Sequence, residues 1–144
     1  MVSIASMPTF TPTFTTTFAA PFGPLQIAVD ERGALLRIDF PGQHAHLADT
    51  SPDAVRCALV TEQLREYFAG DRTEFTLTLA PRGTTFQLAA WAALREIPFG
   101  TTACYQQQAQ RLGQPNAMRA VGAANGKNPL PIVVPCHRVI GASG

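Results

Sequence analysis

The hydrophobic pattern becomes helical throughout after Pro81-Arg82-Gly83, and this change constrains the fold more than any other feature of the chain. Before it, short apolar runs typical of half-buried β-strands surround a single segment with helical spacing. After it, apolar residues recur every three or four positions, as on one face of a helix. The sequence therefore predicts an α+β protein, with a small antiparallel sheet plus one helix in residues 1–82 and a mainly helical domain in residues 83–144.

In the first half, residues 1–20 are expected to be a loose lead-in that becomes a strand at Phe14 to Ala19. Strands at Leu25 to Val29 and Leu35 to Phe40 flank a turn in which Gly33 suits a positive φ. Asp53 is a good N-cap. From there to Gly70 we expect a helix whose apolar face includes Val55, Leu59, Leu64, Tyr67 and Phe68. The alternation at residues 75–79 then predicts one more strand.

Three helices are predicted in the second half. Thr85 is expected to cap the first, which ends at Pro98, and the second starts at Thr101 or Thr102 and runs to Leu112. The third spans Ala117 to Asn125. Two helices joined by a tight turn match the outline of a helix-turn-helix in a winged-helix-like domain, although helical hairpins of this kind are common.

The composition is that of an ordinary globular protein, with 46% hydrophobic and 15% charged residues. No segment reads as a signal peptide or a membrane span, so a cytoplasmic protein without membrane contact is expected. Residues 1–96 hold all ten acids, whereas residues 97–144 hold four cations and no acid. That asymmetry fits either a polyanion partner or a solvated basic face. The three cysteines are too dispersed to form a local metal site.

Cys136 lies between Pro135 and His137, after the apolar run Ile132-Val133-Val134. A thiol attacks as its thiolate, which a neighbouring base or cation makes available. A free cysteine is also a small, readily buried hydrophobe, so this neighbourhood alone allows a packing role as well. Pro129 and Pro131 are expected to make a stiff, extended approach to Cys136.

The residues around Cys136 resemble a known family. The ordered string is Phe86-Gln87, Trp91, Leu94, Ile97-Pro98, Gly100, Thr102, Tyr105, Arg119-Ala120-Val121-Gly122, Asn128-Pro129 and Pro135-Cys136-His137-Arg138-Val139-Ile140-Gly141. It is similar to the C-terminal domain of the methylated-DNA–protein-cysteine methyltransferases, the O6-alkylguanine-DNA alkyltransferases. The match covers about residues 84–144 and its Pro-Cys-His-Arg-Val core is highly specific. Residues 13–80 resemble the N-terminal domain of the family only loosely.

The resemblance implies a single-turnover DNA-repair enzyme, in which Cys136 accepts an alkyl group from O6 of guanine or from O4 of thymine. His137 would take the thiol proton, and Tyr105 would donate a proton toward a guanine ring nitrogen. The family needs no cofactor and no metal, and the enzyme is expected to act as a monomer on double-stranded DNA.

The resemblance also assigns roles in DNA binding. Arg119 would enter from the minor groove and fill the gap left by the flipped alkylated base, while the small residues Ala117, Ala120 and Gly122 allow close approach. Small residues also let helices pack. Asn128 would be a hinge to the active-site strand. Pro135 precedes the nucleophile, and Val139 would offer its carbonyl to the base.

Several features depart from the family pattern. Family members continue beyond the equivalent of the final Gly141-Ala142-Ser143-Gly144 turn with a pocket wall and a helix whose glutamate orients the histidine, so a truncated product lacking this closing segment is expected. Cys104 stands where a serine is usual, and Gln108 stands where an apolar residue usually packs. Such a Gln would destabilise the fold by about 1–3 kcal/mol if unpaired.

Two other function classes remain open from the sequence. One is a damage-sensing DNA-binding module without transfer activity, or an inactive fragment. The other is a cysteine hydrolase that uses Cys136 and His137. Because adjacent residues of a strand point to opposite faces, a hydrolytic pair at these positions would require the backbone to turn there.

Overall fold

The computed structural model describes residues 12–43 and 50–140. Its first half is a four-stranded sheet in the order β3-β2-β1-β4. The strands are β1 (Thr13–Ala20), β2 (Gly23–Val29), β3 (Leu35–Asp39) and β4 (Thr50–Pro52). The three strands predicted between Phe14 and Phe40 are therefore confirmed. Strand β4 adds a short parallel partner to β1 that no hydrophobic pattern predicted, since all three of its residues are exposed. The expected lead-in falls mostly on residues 1–11, outside the described residues.

Two tight hairpins bring the first three strands together. Strand β1 pairs antiparallel with β2 from Phe14 opposite Val29 to Ala20 opposite Gly23. Strand β2 pairs antiparallel with β3, and Gly33 in the connecting turn has φ +81°, as its position predicted. The outer edge of β3 is partly covered by the second half of the chain, because the Ile38 amide donates to the Pro129 carbonyl at 2.9 Å. This bond joins the sheet to the segment that leads to Cys136.

Helix α1 (Ala58–Phe68) begins five residues after the predicted cap. Asp53 does accept a backbone hydrogen bond, from Arg56 at 2.9 Å, but this bond closes a turn that precedes the helix. The helix consequently presents Cys57, Val60 and Leu64 to the sheet. Val55 and Leu59, which the pattern placed on the apolar face, are 86% and 59% exposed.

Residues 75–79 do not form a regular strand. They run extended and make one isolated parallel bridge, Leu35 with Leu79, flanked by a bond from the Leu35 amide to the Thr78 carbonyl. The predicted alternation survives in the side chains, because Leu77 is buried while Thr76 and Thr78 are exposed. The Thr76 amide, which a strand partner would have bound, donates instead to Gln63 Oε1 at 2.9 Å.

The second half contains helices α2 (Thr85–Leu94), α3 (Tyr105–Arg111) and α4 (Met118–Gly126). Thr84, and not Thr85, is the N-cap of α2, in a capping box with Gln87. Helix α3 starts later than predicted because Ala103–Cys104 form strand β5, which pairs parallel with β6 (Val139–Ile140). Helices α3 and α4 form the expected helix-turn-helix, and the α+β fold class is confirmed.

The two halves share one hydrophobic core. Side chains of the sheet, including Leu25, Ile27 and Leu35, pack in the same cluster as Trp91, Leu94, Leu130 and Val134. The indole of Trp91 is 3% exposed and its Nε1 donates to the Ala124 carbonyl at 2.8 Å, which fastens α2 to α4. Within residues 12–43 and 50–140, no helix is long and apolar enough to cross a membrane.

Gly83 provides a test of this packing. A Cβ at position 83 would lie 2.7 Å from Trp91 Cη2 and 2.8 Å from Gln87 Oε1, closer than real contacts allow. We expect Gly83→Ala to lower the free energy of unfolding by about 1–3 kcal/mol, because the buried indole must shift. Gly126→Ala is the control, since a Cβ there meets no atom within 4 Å and should change stability by less than about 0.5 kcal/mol. Urea unfolding of both variants measures the difference, and equal stability would contradict the tight contact.

Candidate active site and nucleic-acid interface

The segment before Cys136 is a series of tight turns, and the extended approach predicted from its prolines is wrong. The Val133 amide donates to the Pro131 carbonyl at 2.9 Å, which closes a three-residue turn around Ile132. The Cys136 amide donates to the Val134 carbonyl at 2.9 Å, which closes a second around Pro135, where φ is −83° and ψ is 68°. These are γ-turns, and the second has the common inverse geometry. The stiffness of proline still stabilises this segment, because the fixed φ of Pro135 suits the second γ-turn.

Asn128 holds this segment through its side chain. Its Nδ2 donates to the Val134 carbonyl at 2.8 Å, and its Oδ1 accepts from the Leu130 amide at 2.9 Å. The Val134 amide in turn donates to the Leu130 carbonyl at 2.8 Å. The residue therefore joins the end of α4 to the turns before Cys136.

Ile132 has φ +76°, the only positive φ of a non-glycine residue in the described parts of the chain. A β-branched residue in this region is strained. We expect Ile132→Gly to be more stable than Ile132→Ala by about 1 kcal/mol, since glycine adopts this φ without strain. The usual order, alanine above glycine, should hold for the same pair at Ile38, a buried residue of β3. Chemical denaturation decides, and alanine equal to or above glycine at position 132 would refute the strain.

Cys136 is half-buried and begins a 3-10 turn, Cys136–Arg138. The Arg138 amide donates to the Pro135 carbonyl at 3.1 Å, and the Val139 amide donates to the Cys136 carbonyl. The strand expected at Cys136 and His137 is therefore absent, and the objection to a Cys-His pair that rested on strand geometry no longer applies. Among the described residues, however, no hydrogen bond involves the His137 imidazole, so nothing orients it as a hydrolytic pair requires.

The His137 side chain is exposed, next to the charged Arg138. Partial desolvation of the imidazole, followed by the positive charge of Arg138, holds the pKa of His137 below its ordinary value of 6.5. The ring is therefore neutral at neutral pH, in the form that can accept a proton. The cationic form is disfavoured here.

This pKa makes a prediction about stability. Because the unfolded chain binds the His137 proton more readily, the free energy of unfolding should fall as pH drops below 6.5 toward the folded pKa. We expect an NMR titration of the His137 imidazole to give a midpoint below 6.5. His137→Gln should lose part of the acid-side fall in stability. A midpoint at or above 6.5 would contradict the desolvation.

Arg138 anchors the turn to the end of α2. Its Nη1 donates to the Ile97 carbonyl at 2.7 Å, and its guanidinium lies 5.5 Å from the centre of the Phe99 ring. Phe99 in turn meets Tyr67 of α1 edge-on. In the sequence, Arg138 is only one of four cations in residues 97–144 and part of the motif, and nothing in its spacing indicated this structural contact.

Tyr105 is the first residue of α3 and is brought toward the Cys136 turn by the β5–β6 pair. Ala103 pairs with Val139 and Cys104 with Ile140, so Tyr105 follows directly after the paired residues. A Cβ at Gly122 of α4 would lie 3.8 Å from Tyr105 Cε1. The phenol ring thus lies against α4.

Val139 is buried, and its backbone pairs with Ala103 of β5.

Helix α4 presents a small-residue face to solvent. Arg119 and Ala120 are exposed, Ala117 and Gly122 are half-buried, and Val121, Ala124 and Asn125 face inward. Met118, which was not selected from the sequence, is 47% exposed beside Arg119. A helix with this surface can approach another molecule closely while one long cation projects from it.

The four cations of residues 97–144 differ in their surroundings. Arg111 pairs with Glu96 at 3.2 Å, and Arg138 is committed to the Ile97 carbonyl. Arg119 and Lys127 are exposed and have no ion-pair partner in the part of the chain that the structure describes. Within residues 97–144, the positive charge available to a polyanion is therefore concentrated on and just after α4.

The other thiols differ from Cys136. Cys57 is fully buried under the sheet, and this burial, with a smaller contribution from Asp53, raises its pKa to about 11. Cys104 is half-buried at the end of β5. Over residues 12–43 and 50–140, no group of three or more His, Cys, Asp or Glu side chains is placed to hold a metal ion.

Comparison with known proteins gives matches along almost the whole chain. Residues 13–81 match the ribonuclease-like domain of 6-O-methylguanine DNA methyltransferase, and residues 85–144 match the DNA binding domain of the same family. A methylated-DNA–protein-cysteine methyltransferase of Methanosarcina acetivorans is 43% identical over 133 residues, covering 87% of this chain and 81% of its own. The protein of the same name from Mycobacterium tuberculosis is 45% identical over 129 residues, covering 87% of this chain and 76% of its own.

Solved structures agree with the sequence matches. The crystal structure of Mycobacterium tuberculosis OGT in complex with DNA superposes with a TM-score of 0.84 at 44% identity, covering 91% of this chain and 80% of that one. The O6-methylguanine-DNA methyltransferase of Pyrococcus kodakaraensis, at 22% identity and a TM-score of 0.63, shares the fold. This chain therefore belongs to the methylated-DNA–protein-cysteine methyltransferase family.

Proposed function

We propose that this protein repairs DNA by moving a methyl or larger alkyl group from O6 of guanine to the sulfur of Cys136. The observation that carries the proposal is the placement of a half-buried thiol at the start of a tight turn, between Pro135 and His137. Tyr105 directly follows strand β5, whose partner strand β6 begins three residues after Cys136. The chain's relatives are named for this transfer.

The reaction is a displacement at the alkyl carbon. The carbon–sulfur bond forms on Cys136 as the carbon–O6 bond breaks, and the electron pair of the broken bond stays with guanine. His137, held neutral by its lowered pKa, accepts the thiol proton. Tyr105 donates a proton to a guanine ring nitrogen. The proton on His137 then returns through solvent to the Tyr105 phenolate, so the protons balance. A thioether is a poor leaving group, and each molecule therefore acts once.

The alkylated base must leave the duplex to reach a thiol set among protein turns. The exposed face of α4 is the surface proposed to enter the minor groove, with Arg119 in the vacated stack and Ala117, Ala120 and Gly122 permitting close approach. Asn128 links this helix to the turns before Cys136. We propose that the protein acts as a monomer, with the division near residues 82 and 83 separating a supporting unit from the DNA-binding unit.

A stoichiometry measurement tests this proposal. Duplex DNA carrying one O6-methylguanine is titrated with increasing protein, and the restored guanine is quantified after nuclease digestion and chromatography. We expect one guanine restored per protein molecule, with no further turnover. Tight, damage-specific binding without restored guanine would establish the damage-sensing alternative and overturn the transfer.

A further inference from the structure

Gln108 and Asn125 form a buried amide pair between the two helices of the helix-turn-helix. Gln108 of α3 is 2% exposed and Asn125 of α4 is 7% exposed. Gln108 Nε2 donates to Asn125 Oδ1 at 2.9 Å, and Asn125 Nδ2 donates back to Gln108 Oε1 at 2.8 Å. Gln108 Nε2 also donates to the Ala90 carbonyl of α2 at 3.1 Å. The sequence left open whether Gln108 would be unpaired, and these hydrogen bonds give its side-chain amide partners on both the nitrogen and the oxygen.

Such a pair fixes geometry more than it adds stability. A buried hydrogen-bonded pair and an apolar pair of similar size often give comparable stability, because both amides lose water on burial. Two helices that pack through apolar side chains can slide and rotate against each other at little cost. Two opposed hydrogen bonds between the helices form in only one relative position. A single buried polar residue fixes register in coiled coils in the same way.

One member of the pair lies on the helix that also carries Arg119. Asn125 lies near the C-terminal end of α4, next to Ala124, whose carbonyl accepts from Trp91 Nε1 at 2.8 Å. Arg119 lies in the first turn of the same helix. A rotation of about 20° would move a side-chain tip ~6 Å from the helix axis by about 2 Å. Misplacement by ~1 Å can reduce a rate about a hundredfold.

We infer that the Gln108–Asn125 pair is a positioning element that sets the rotation of α4 and thereby the presentation of Arg119 to DNA. This inference rests on the proposed function for its role, although its geometry does not. The two amides touch neither the thiol nor, in the proposed reaction, the base. Their effect should therefore appear with duplex DNA and be absent with a free base.

Gln63 offers a matched control. It is 3% exposed and also makes two side-chain hydrogen bonds, donating to Thr76 Oγ1 at 2.8 Å and accepting from the Thr76 amide at 2.9 Å. It lies on α1, in the other half of the chain. Gln63→Leu therefore removes the same residue type with the same burial, away from α3 and α4.

The experiment compares Gln108→Leu, Asn125→Leu, the double Gln108→Leu/Asn125→Leu variant and Gln63→Leu. Each is assayed with O6-methylguanine in duplex DNA and with free O6-benzylguanine, and Tm is measured alongside. We expect both single variants to have lower Tm, because each leaves a buried amide unpaired. Gln63→Leu should also have a lower Tm, because it loses two hydrogen bonds to Thr76. The double variant should recover most of that loss, yet react with the duplex about tenfold more slowly than wild type. Its rate with the free base should stay within about twofold of wild type, and Gln63→Leu should keep the wild-type ratio of the two rates.

An exchanged pair supplies the rescue. Gln108→Asn/Asn125→Gln keeps two amides and the same total side-chain length, so it should regain much of the duplex rate that the double leucine variant loses. A double leucine variant that repairs duplex DNA at the wild-type rate would overturn the inference. So would an equal loss with duplex and free base, which would place the effect at the thiol.

The inference and the proposed function fail separately. If wild type transfers no alkyl group to Cys136 from either substrate, the proposed function fails. The pair is then tested by hydrogen exchange of the α4 backbone amides and by the affinity for undamaged duplex DNA. Faster exchange and weaker binding in the double leucine variant than in Gln63→Leu would support the positioning role, and unchanged values would overturn it.

Discussion

Cys136→Ala is expected to abolish alkyl transfer from both a duplex containing O6-methylguanine and free O6-benzylguanine. The new bond forms on the Cys136 sulfur, and an alanine methyl group has no electron pair to attack with. The side chain is half-buried and small, so folding should be retained, with a change in unfolding free energy of about 1 kcal/mol. Intact-protein mass spectrometry after incubation reads the result directly, as the presence or absence of one added alkyl group.

Cys104→Ala is the matched control for this variant. It makes the same substitution at another half-buried thiol, at the end of β5 and adjacent to Tyr105. We expect it to gain the alkyl group as wild type does. Cys57 is a poor alternative acceptor, because full burial raises its pKa to about 11 and keeps it protonated. A Cys136→Ala protein that still gains mass would place the acceptor elsewhere.

Arg119→Ala is expected to slow repair of duplex DNA by about a hundredfold and to leave the reaction with free O6-benzylguanine within about twofold of wild type. The free base needs no extrusion, so only the duplex reaction uses a side chain that fills the vacated stack. Arg119 is exposed on α4 and has no ion-pair partner among the described residues, so removing it leaves no buried charge behind. Single-turnover rates with both substrates give the ratio.

Lys127→Ala separates this role from simple charge attraction. Lys127 is the other cation of residues 97–144 that is exposed and has no ion-pair partner among the residues that the structure describes. Losing one phosphate contact weakens binding and reduces its salt dependence by about one ion, without blocking base extrusion. We therefore expect an effect of a few-fold that added salt diminishes. Equal losses for the two variants would reduce Arg119 to a generic phosphate contact.

The sequence predicted elements wherever local pattern and tertiary packing agree. Strands β1 to β3 are short apolar runs separated by turn residues, and Gly33 marks the turn between β2 and β3, so these strands could be predicted. Helix α4 could also be predicted, within one residue at each end. The start of α1 could not be predicted, because Asp53 caps a separate turn that precedes the helix. Residues 75–79 show the side-chain alternation of a strand, but a glutamine takes the hydrogen bond that a strand partner would have taken.

Cys136 and His137 are neighbours in the sequence, but the backbone geometry that positions them cannot be predicted from the residues nearby. Cys136 and His137 stand in one motif, and the resemblance indicated their roles. The turns that hold them depend on a positive φ at Ile132, which a β-branched residue rarely adopts, so no propensity argument leads there. The Gln108–Asn125 pair joins residues 17 positions apart, and only the packing of α3 against α4 shows that the polar glutamine has a partner.

Peptide mapping of the reacted protein tests the central claim most directly. Wild-type protein is incubated with an equimolar amount of duplex DNA carrying one O6-methylguanine, digested, and sequenced by tandem mass spectrometry. We predict one methyl group per molecule, carried by the sulfur of Cys136, with Cys57 and Cys104 unmodified and guanine restored in the DNA. A methyl group on any other residue, or restored guanine with an unmodified Cys136, would contradict the proposed transfer.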